Sequence, residues 1–541
     1  MEIPADTIIT NAKVYTVDKE NPIAEAVAIQ GNKIVFVGSA EDVEPFIGSK
    51  TTFYDGYGRT VLPGFIDSHF HLMHGALGMG DIQCHEIDSL ADLKMAVIQY
   101  ARKNPDLPWL RGSGLRYGIV GKDKPLTRHH LDAIENKRPL VVVAYDVHTA
   151  WGNTLALEKA GLLHGIPDLP GGAAVIMGED GLALGEVREA ATKKLFAQIP
   201  DPNEARQRQL VKEALAWLAS LGVTSVHNMD GTPEQAAFYA AMEDLDELTL
   251  RIYIPYDIKP ETPLSALAEI AVPMREEFQS EMVRAGCVKF FMDGVYESYT
   301  AVSLNAYPNQ PDNYGQPLFS SEHFAHMAAE ADRLGLQIFV HACGDGAVRR
   351  VLDGYQFAQE QNGLRDSRHR VEHIEMIHPD DVPRFKELDV LASMQPLHAP
   401  LQENDTDVWI QRVREADWDR AFAWRTLRAA GATLAFGSDW PVASPNPFAG
   451  IAAALTRQPW QPGHNAHKQT LAEAIASYTK DAAYAEFAED KKGQIKVGYL
   501  ADLVLLSEDI FAVQPEEVRD VQVAMTFCNG RLVYIHHQEE D

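Results

Sequence analysis

The sequence has few cysteines, no long apolar run and no recognisable leader. Its four cysteines stand far apart with no Cys-x-x-Cys pair, which argues against a disulfide framework and against a thiolate zinc site. No stretch approaches the ~18 consecutive apolar residues that a membrane-spanning helix needs. The first residues lack the basic and apolar segments of a secretory signal, so a cytoplasmic protein is expected.

Basic side chains are also fewer than acidic ones. The chain has 48 Lys and Arg against 77 Asp and Glu, which gives a formal net charge of −29. Such a surface repels phosphate groups and argues against nucleic acids and anionic membranes as partners. The expected partner is a small-molecule substrate, and a homodimeric assembly is left open. At 541 residues, the chain is expected to form one large domain with one or two small ones.

The middle of the chain alternates apolar strand-like runs with helical stretches, which is typical of a parallel sheet or barrel. The predicted strands are 61–71, 223–227, 250–254, 287–293, 336–341, 370–373, 390–395 and 432–439. Eight strands are the number that closes a (β/α)₈ barrel. Helical periodicity fills the gaps between them, for example at 203–221, 322–334 and 416–430. The predicted fold class is therefore an α/β protein with a TIM barrel.

Both ends of the chain predict short strands instead. They are 7–10, 13–17, 26–29 and 33–37 at the start, and 494–498, 502–506, 521–527 and 532–534 at the end, with a hairpin turn at 528–531. Residues 1–62 with 490–541 are therefore predicted to form one small composite β-sandwich domain, and residues 63–489 the barrel domain. Residues 76–200 are too long for a loop. They are predicted to be an insertion after the first barrel strand, at the barrel mouth, that forms a lid or substrate wall.

Side chains that suit a metal ion stand at the ends of five of these strands. His69 and His71 end the first strand, where residues two apart point to the same face. The later strands add Lys289, His341, His373 and Asp439. Each of these residues alone is explained as well by a core hydrogen bond or a turn cap. Because barrel active sites lie at the carboxyl ends of the strands, the six together predict a metal site of the zinc type.

Alternation along the strands indicates which side chains face inward. Lys289 shares a face with Cys287, and Asp439 shares one with Gly437. In the sixth strand the same alternation, with His373 inward, predicts that Arg370 and Glu372 point outward among the helices.

These residues in this order give the chain a resemblance to the amidohydrolase superfamily of metal-dependent hydrolases. Further segments are similar to its amidohydrolase 3 branch, which includes N-substituted formamide deformylases. Those segments are 127–132, 146–150, 170–172, 185–189, 341–345 and 437–441. The resemblance spans nearly the whole chain. Residues 293–301 are bulkier than expected of the branch, which indicates a reshaped pocket.

The resemblance implies one or two divalent cations, most simply Zn²⁺. It assigns the more buried cation to His69, His71 and Asp439, and the second to His341 and His373. Lys289 would bridge the two as a carbamate formed with carbon dioxide. A mononuclear site beside an unmodified lysine is the alternative.

This ligand set implies attack of metal-activated water on a carbonyl carbon. Asp439 is the expected catalytic residue, which accepts the proton of the water and returns it to the departing amine. The expected reaction is hydrolysis of a non-peptide carbon–nitrogen bond in a linear amide, such as an N-acyl or N-formyl amine. Candidate residues for binding or orienting the substrate are His148, Arg370, Asp345, Trp109, Tyr296 and Trp440.

Three other functions are alternatives to amide hydrolysis. A mononuclear heterocycle deaminase usually carries a glutamate soon after the fifth-strand histidine, and residues 341–345 contain none. A lactone or ester hydrolase stays open, because activated water attacks esters too. A non-catalytic scaffold is disfavoured, because all six ligands are present.

Overall fold

The structure is a computed structural model that describes residues 4–121, 124–145, 147, 149–166, 174–200, 202–400 and 408–536. Within these ranges, eight parallel strands pair with their neighbours in chain order. Their bounds are Phe65–Phe70, Val223–Asn228, Arg251–Asp257, Val283–Phe291, Gln337–Ala342, Arg370–His373, Leu391–Met394 and Leu434–Phe436. A parallel bridge between Phe70 and Trp440 joins the first strand to the segment after the last. The nearly closed barrel confirms the predicted fold class.

The α-helices lie between and after these strands. Their bounds are Leu72–Met79, Leu90–Lys103, Arg128–Asp132, Thr154–Lys159, Ala190–Phe196, Glu204–Ser220, Pro233–Asp244, Val272–Glu277, Ser321–Arg333, Asp345–Asn362, Val382–Glu387, Val408–Arg412, Trp424–Ala429, Pro447–Thr456, Leu471–Ser477 and Lys480–Tyr484. The predicted continuous helix 416–430 is wrong: a 3₁₀ turn, Glu415–Arg420, precedes Trp424–Ala429. Phe422 separates the two with a left-handed φ of 47°, which no α-helix accommodates. No helix in the described ranges is long and apolar enough to cross a bilayer.

Alternation on the fourth barrel strand follows the sequence pattern. Val288, Phe290 and Met292 join the main hydrophobic core, which includes residues of the surrounding helices. Cys287 packs instead with Phe339 and other residues in a separate small cluster. Burial of one face against helices therefore fixes the face on which Lys289 lies.

The two ends of the chain build two further sheets. In spatial order the first contains Lys33–Gly38, Ala26–Gln30, Thr7–Thr10 and Thr52–Asp55, and the second contains Arg531–Ile535, Val523–Cys528, Leu503–Leu506, Thr60–Pro63, Lys13–Tyr15 and Ile23–Ala24. The second sheet thus combines strands from both termini. Asn529 and Gly530, with φ of 53° and 75°, form the predicted two-residue hairpin turn. The predicted strand 494–498 is wrong, since that segment forms no β-ladder.

The predicted strand 61–71 is two strands, which separate at Gly64. Thr60–Pro63 pairs with Leu503–Leu506 in the terminal sheet, whereas Phe65–Phe70 is the first barrel strand. A Cβ at Gly64 would lie 2.2 Å from Thr224 Oγ1, so a larger residue would push the two barrel strands apart.

Residues Leu72–Ala214 form a separate compact unit. Its sheet has the order Ala174–Met177, Ala183–Arg188, Thr149–Gly152, Leu140–Ala144, Leu110–Leu115 and Ile82–Gln83. Apolar side chains on the two faces of this sheet form two core clusters. The domain boundaries given above, and the role of the insertion as a lid, stay predictions.

Candidate metal centre

Closure of the barrel brings the first and last strands together at the predicted site. Asp439 N donates to His69 O at 2.7 Å, and Asp67 accepts from the backbone of both Ser438 and His69. As a result His69 Nε2 and His71 Nε2 lie 3.4 and 3.2 Å from Asp439 Oδ1. One ligand atom from each of these three side chains lies within 4.8 Å of the other two, which fits a single cation.

A second group faces the other oxygen of the same carboxylate. His373 Nδ1 and His398 Nε2 lie 3.9 and 3.7 Å from Asp439 Oδ2, and these three side chains also meet the spacing for one cation. His373 Nδ1 also lies 2.9 Å from Gln395 Oε1, so the other ring nitrogen of His373 is the one left for a cation. Sequence reasoning missed His398. The available signal was a histidine shortly after the end of the seventh strand, in the 3₁₀ turn Pro396–His398.

His341 lies beside this group, and neighbouring groups surround its Nε2. Its ring centroid is 4.4 Å from that of His373. Its Nε2, however, is 3.1 Å from Gly294 O and 3.4 Å from Cys343 Sγ. Together with Asp293 and Cys343 it forms a third group with metal-like spacing. The Asp293 carboxylate already accepts three backbone N–H bonds, so this third group is a weaker candidate for a cation.

Lys289 carries a buried amine that the described part of the protein does not satisfy. The side chain is fully buried, and its Nζ has no hydrogen-bond partner among the described residues. Burial lowers the pKa of the amine, although the charges of Glu372, Asp439 and Asp257 oppose that shift. A buried amine without a hydrogen-bond partner lowers the stability of the fold. The position of Lys289 is therefore typical of a side chain that binds a ligand or carries a modification.

The sixth strand corrects the predicted orientation of Arg370 and Glu372. Both are fully buried inside the barrel, where Glu372 Oε2 lies 2.8 Å from His69 Nδ1 and Glu372 Oε1 accepts from Arg370 Nε at 2.8 Å. The reason is the backbone of His373, whose φ of 72° breaks the strand alternation so that consecutive side chains face inward. Arg370 also donates to Ser68 O. With no exposed surface, Arg370 positions Glu372 and does not reach a substrate.

Carboxylates set the protonation of the histidines on the first strand. His69 faces Glu372, and His71 Nδ1 lies 2.8 Å from Asp230 Oδ1. When Nδ1 of each histidine donates a hydrogen bond to its carboxylate partner, Nε2 faces Asp439 and is the nitrogen that can bind a cation. Burial lowers the pKa of His71, but its bonds to Asp230 and Asp439 outweigh burial and raise the pKa to about 9, so at neutral pH Nε2 also carries a proton, which a bound cation would replace.

Asp439 remains a carboxylate at neutral pH. Burial alone would raise its pKa, but the hydrogen bond with His71 and the charges of His373 and His398 lower the pKa below its ordinary value. The backbone of Asp439 has a left-handed φ of 60°, and that of His373 is left-handed too, with a φ of 72°.

The structure gives the surroundings of four further candidates for substrate contact, whose role in binding stays a prediction, and the fifth lies outside the described residues. Asp345 is buried and accepts from Leu304 N at 2.8 Å, which anchors the loop after the fourth strand. Tyr296 packs against Trp409, and Trp440 stacks on Phe70. Trp109 lies in a core cluster of the 72–214 unit. His148, with Asp146 and the segment 170–172, lies outside the described residues.

Comparison with known proteins gives matches along nearly the full length. A model of the amidohydrolase family matches residues 52–534. "Protein LONG AFTER FAR-RED 3" of Arabidopsis thaliana is 29% identical over 548 residues, which cover 98% of this chain and 92% of that protein. N-substituted formamide deformylase of Arthrobacter pascens is 25% identical over 541 residues, which cover 98% of each chain.

A solved structure resembles this one closely. It is that of an uncharacterized metal-dependent hydrolase from Pyrococcus furiosus, with a TM-score of 0.71 and 25% identity. The alignment covers 92% of this chain and 98% of that protein.

Proposed function

The chain belongs to the amidohydrolase family, which confirms the resemblance of its sequence, and on that premise we propose that it hydrolyses linear amides such as N-acyl or N-formyl amines. It is a hydrolase of carbon–nitrogen bonds, and the choice of substrate is the proposal. The observation that carries it is the carboxylate of Asp439, which faces imidazole groups on both sides next to the unsatisfied amine of Lys289. The similarity to a formamide deformylase over 98% of both chains supports a linear amide.

The proposed cofactor is one or two Zn²⁺. Imidazole and carboxylate donors suit this ion, and His69, His71 and Asp439 would hold the more buried one. The family pattern assigns His341 and His373 to the second, with Lys289 as a bridging carbamate. When bound, the metal supplies a water of pKa near 7 and polarises the scissile carbonyl. The buried, unsatisfied amine of Lys289 supports the carbamate, because carbon dioxide adds to the neutral form of an amine.

The residues of the chain itself would move the proton. Asp439 is ionised at neutral pH, so it can accept a proton from the attacking water and donate it to the departing amine. Glu372 holds the Nδ1 proton of His69 and thereby fixes the direction of its Nε2. The cytoplasmic location, the homodimer and the role of the insertion as a lid stay predictions.

The test is a substrate panel on purified protein whose bound metal has been quantified. N-formyl and N-acyl amines would be compared with matched esters, lactones and amino-substituted heterocycles, with Asp439→Asn as the inactive control. We expect hydrolysis of the amides by metal-loaded protein and none by the control variant. Turnover of esters or heterocycles without turnover of any amide would contradict the proposal.

A further inference from the structure

His398 is a polar side chain near the proposed centre to which the predicted ligand set assigns no role. It follows the seventh barrel strand in the turn Pro396–His398, and 12% of its side chain is exposed. Its ring is nearly parallel to that of His373, with an interplanar angle of 10° and centroids 5.8 Å apart. Its Nδ1 lies 4.0 Å from Glu375 Oε1.

The Nε2 atom of His398 makes no hydrogen bond of good geometry within the described residues, although the ring lies beside the backbone of Ser438. It points instead toward Asp439 Oδ2, at 3.7 Å, which is longer than a hydrogen bond. A buried imidazole nitrogen without a partner carries a desolvation cost. A cation between this nitrogen and the carboxylate would remove that cost.

The two oxygens of Asp439 divide the neighbouring histidines into two pairs. Oδ1 faces His69 and His71, whereas Oδ2 faces His373 and His398. Each pair forms, with the carboxylate, a set of three ligand atoms within 4.8 Å of one another. Two such sets that share one carboxylate are a natural arrangement for two neighbouring cations.

His341 lies next to this second set, with its ring centroid 4.4 Å from that of His373. Its Nε2 is held beside Gly294 O and Cys343 Sγ. His398 and His373 with Asp439 form a set of ligand atoms that does not require this Nε2.

We propose that His398 is a metal ligand, and that with His373 and Asp439 it binds the second cation of the centre. This inference rests on the proposed metal-dependent function and adds a ligand from the seventh strand. Its rival is a hydrogen-bonding role, in which His398 only orients Asp439 or the nearby backbone of Ser438.

The test measures bound metal rather than turnover. His398→Ala and His398→Asn would be compared with the wild-type protein and with His378→Ala, a matched control whose histidine lies at the partly exposed start of another 3₁₀ turn. Each protein is loaded with Zn²⁺, dialysed against a graded series of chelator, and assayed for zinc per chain. Thermal unfolding of each protein checks that it is folded, and His398→Asn serves if the alanine variant does not fold.

We expect two zinc ions per chain in wild type and in His378→Ala. In the His398 variants we expect one retained ion and a second bound at least about tenfold more weakly. Unchanged zinc binding in the variants, with or without lower turnover, would overturn the inference in favour of the hydrogen-bonding role. A wild-type protein that binds a single ion would also overturn it. Wild-type protein without any zinc would instead contradict the proposed function itself.

Discussion

Each of two regions of the barrel interior holds a buried lysine, but only Lys492 finds partners for its amine within the described residues. At the amino ends of the strands, Glu486 lies 2.6 Å from Lys492, 3.0 Å from Arg284 and 3.2 Å from His227. At the carboxyl ends, the amine of Lys289 has no hydrogen-bond partner within the described residues. Charges that neutralise one another support the fold, whereas polar groups left without partners are available to a ligand.

Arg370 connects these two ends. Its guanidinium lies 2.8 Å from His227 Nδ1 on one side and binds Glu372 on the other. A continuous series of charged and polar contacts therefore runs from Glu486 through Arg370 to His69 at the proposed metal centre. Substitutions along this line separate effects on chemistry from effects on stability.

The largest loss of activity is expected for Asp439→Asn at the carboxyl end. This change replaces one of the two carboxylate oxygens that face the histidine pairs, and it removes the proposed proton acceptor. We expect kcat/KM to fall at least about 10³-fold, together with loss of tightly bound metal. Steady-state kinetics and metal analysis measure both, and retention of more than a tenth of wild-type activity would show that the carboxylate is not central.

Lys289→Met tests the unsatisfied amine. If the lysine carries a bridging carbamate, the substitution should lower kcat/KM more than about 100-fold. That loss exceeds the one expected if Lys289 only formed a hydrogen bond to a metal ligand. Native mass spectrometry should show one added carbon dioxide in the wild-type protein with bicarbonate and none in the variant. Equal masses for wild-type protein with and without bicarbonate would favour the unmodified lysine.

Glu372→Gln tests the connection between the two ends. An amide cannot hold the Nδ1 proton of His69 as a carboxylate does, so the affinity for metal should fall about 10–100-fold. Competition with a chelator measures that affinity. The result expected of a purely structural role is a lower melting temperature with unchanged affinity for metal.

Glu486→Gln at the amino end should leave kcat per folded molecule unchanged and lower the free energy of unfolding by about 3–5 kcal/mol. Removing the carboxylate leaves Lys492 and His227 buried without this partner, and the partly exposed Arg284 loses it as well. Denaturant unfolding measures the change. Glu330→Gln, which breaks an exposed pair with Arg333, should leave the melting temperature unchanged.

The stabilisation by Glu486 should depend on pH. Burial alone would raise the pKa of Glu486, but Lys492 and His227 lower it below the ordinary value. A carboxylate with a lowered folded pKa contributes its full stabilisation above the unfolded pKa of about 4.3, and loses it as the pH falls. The difference in stability between wild type and Glu486→Gln should therefore be constant near pH 7 and shrink below about pH 4. A difference that grows in acid would contradict this sign.

The barrel could be predicted from sequence because apolar runs and strand ends recur at regular intervals. His69 and Asp439 could be predicted because they lie at or near the ends of predicted strands, and Lys289 because it lies on the inward face of one. His398 was missed because it lies beyond its strand, where alternation gives no direction. The inward face of Glu372 was missed because it depends on the backbone conformation of the next residue.

The same conformation has a consequence for the protein in the cell. His373 and Asp439 occupy the left-handed region of backbone space, which costs of order 1–3 kcal/mol for each such residue. A cation held by their side chains offsets this cost only in the native state, so metal binding raises the population of folded chains. Under metal starvation we expect the enzyme to unfold more often and to be degraded faster. Its abundance, as well as its turnover, would then follow the supply of the ion.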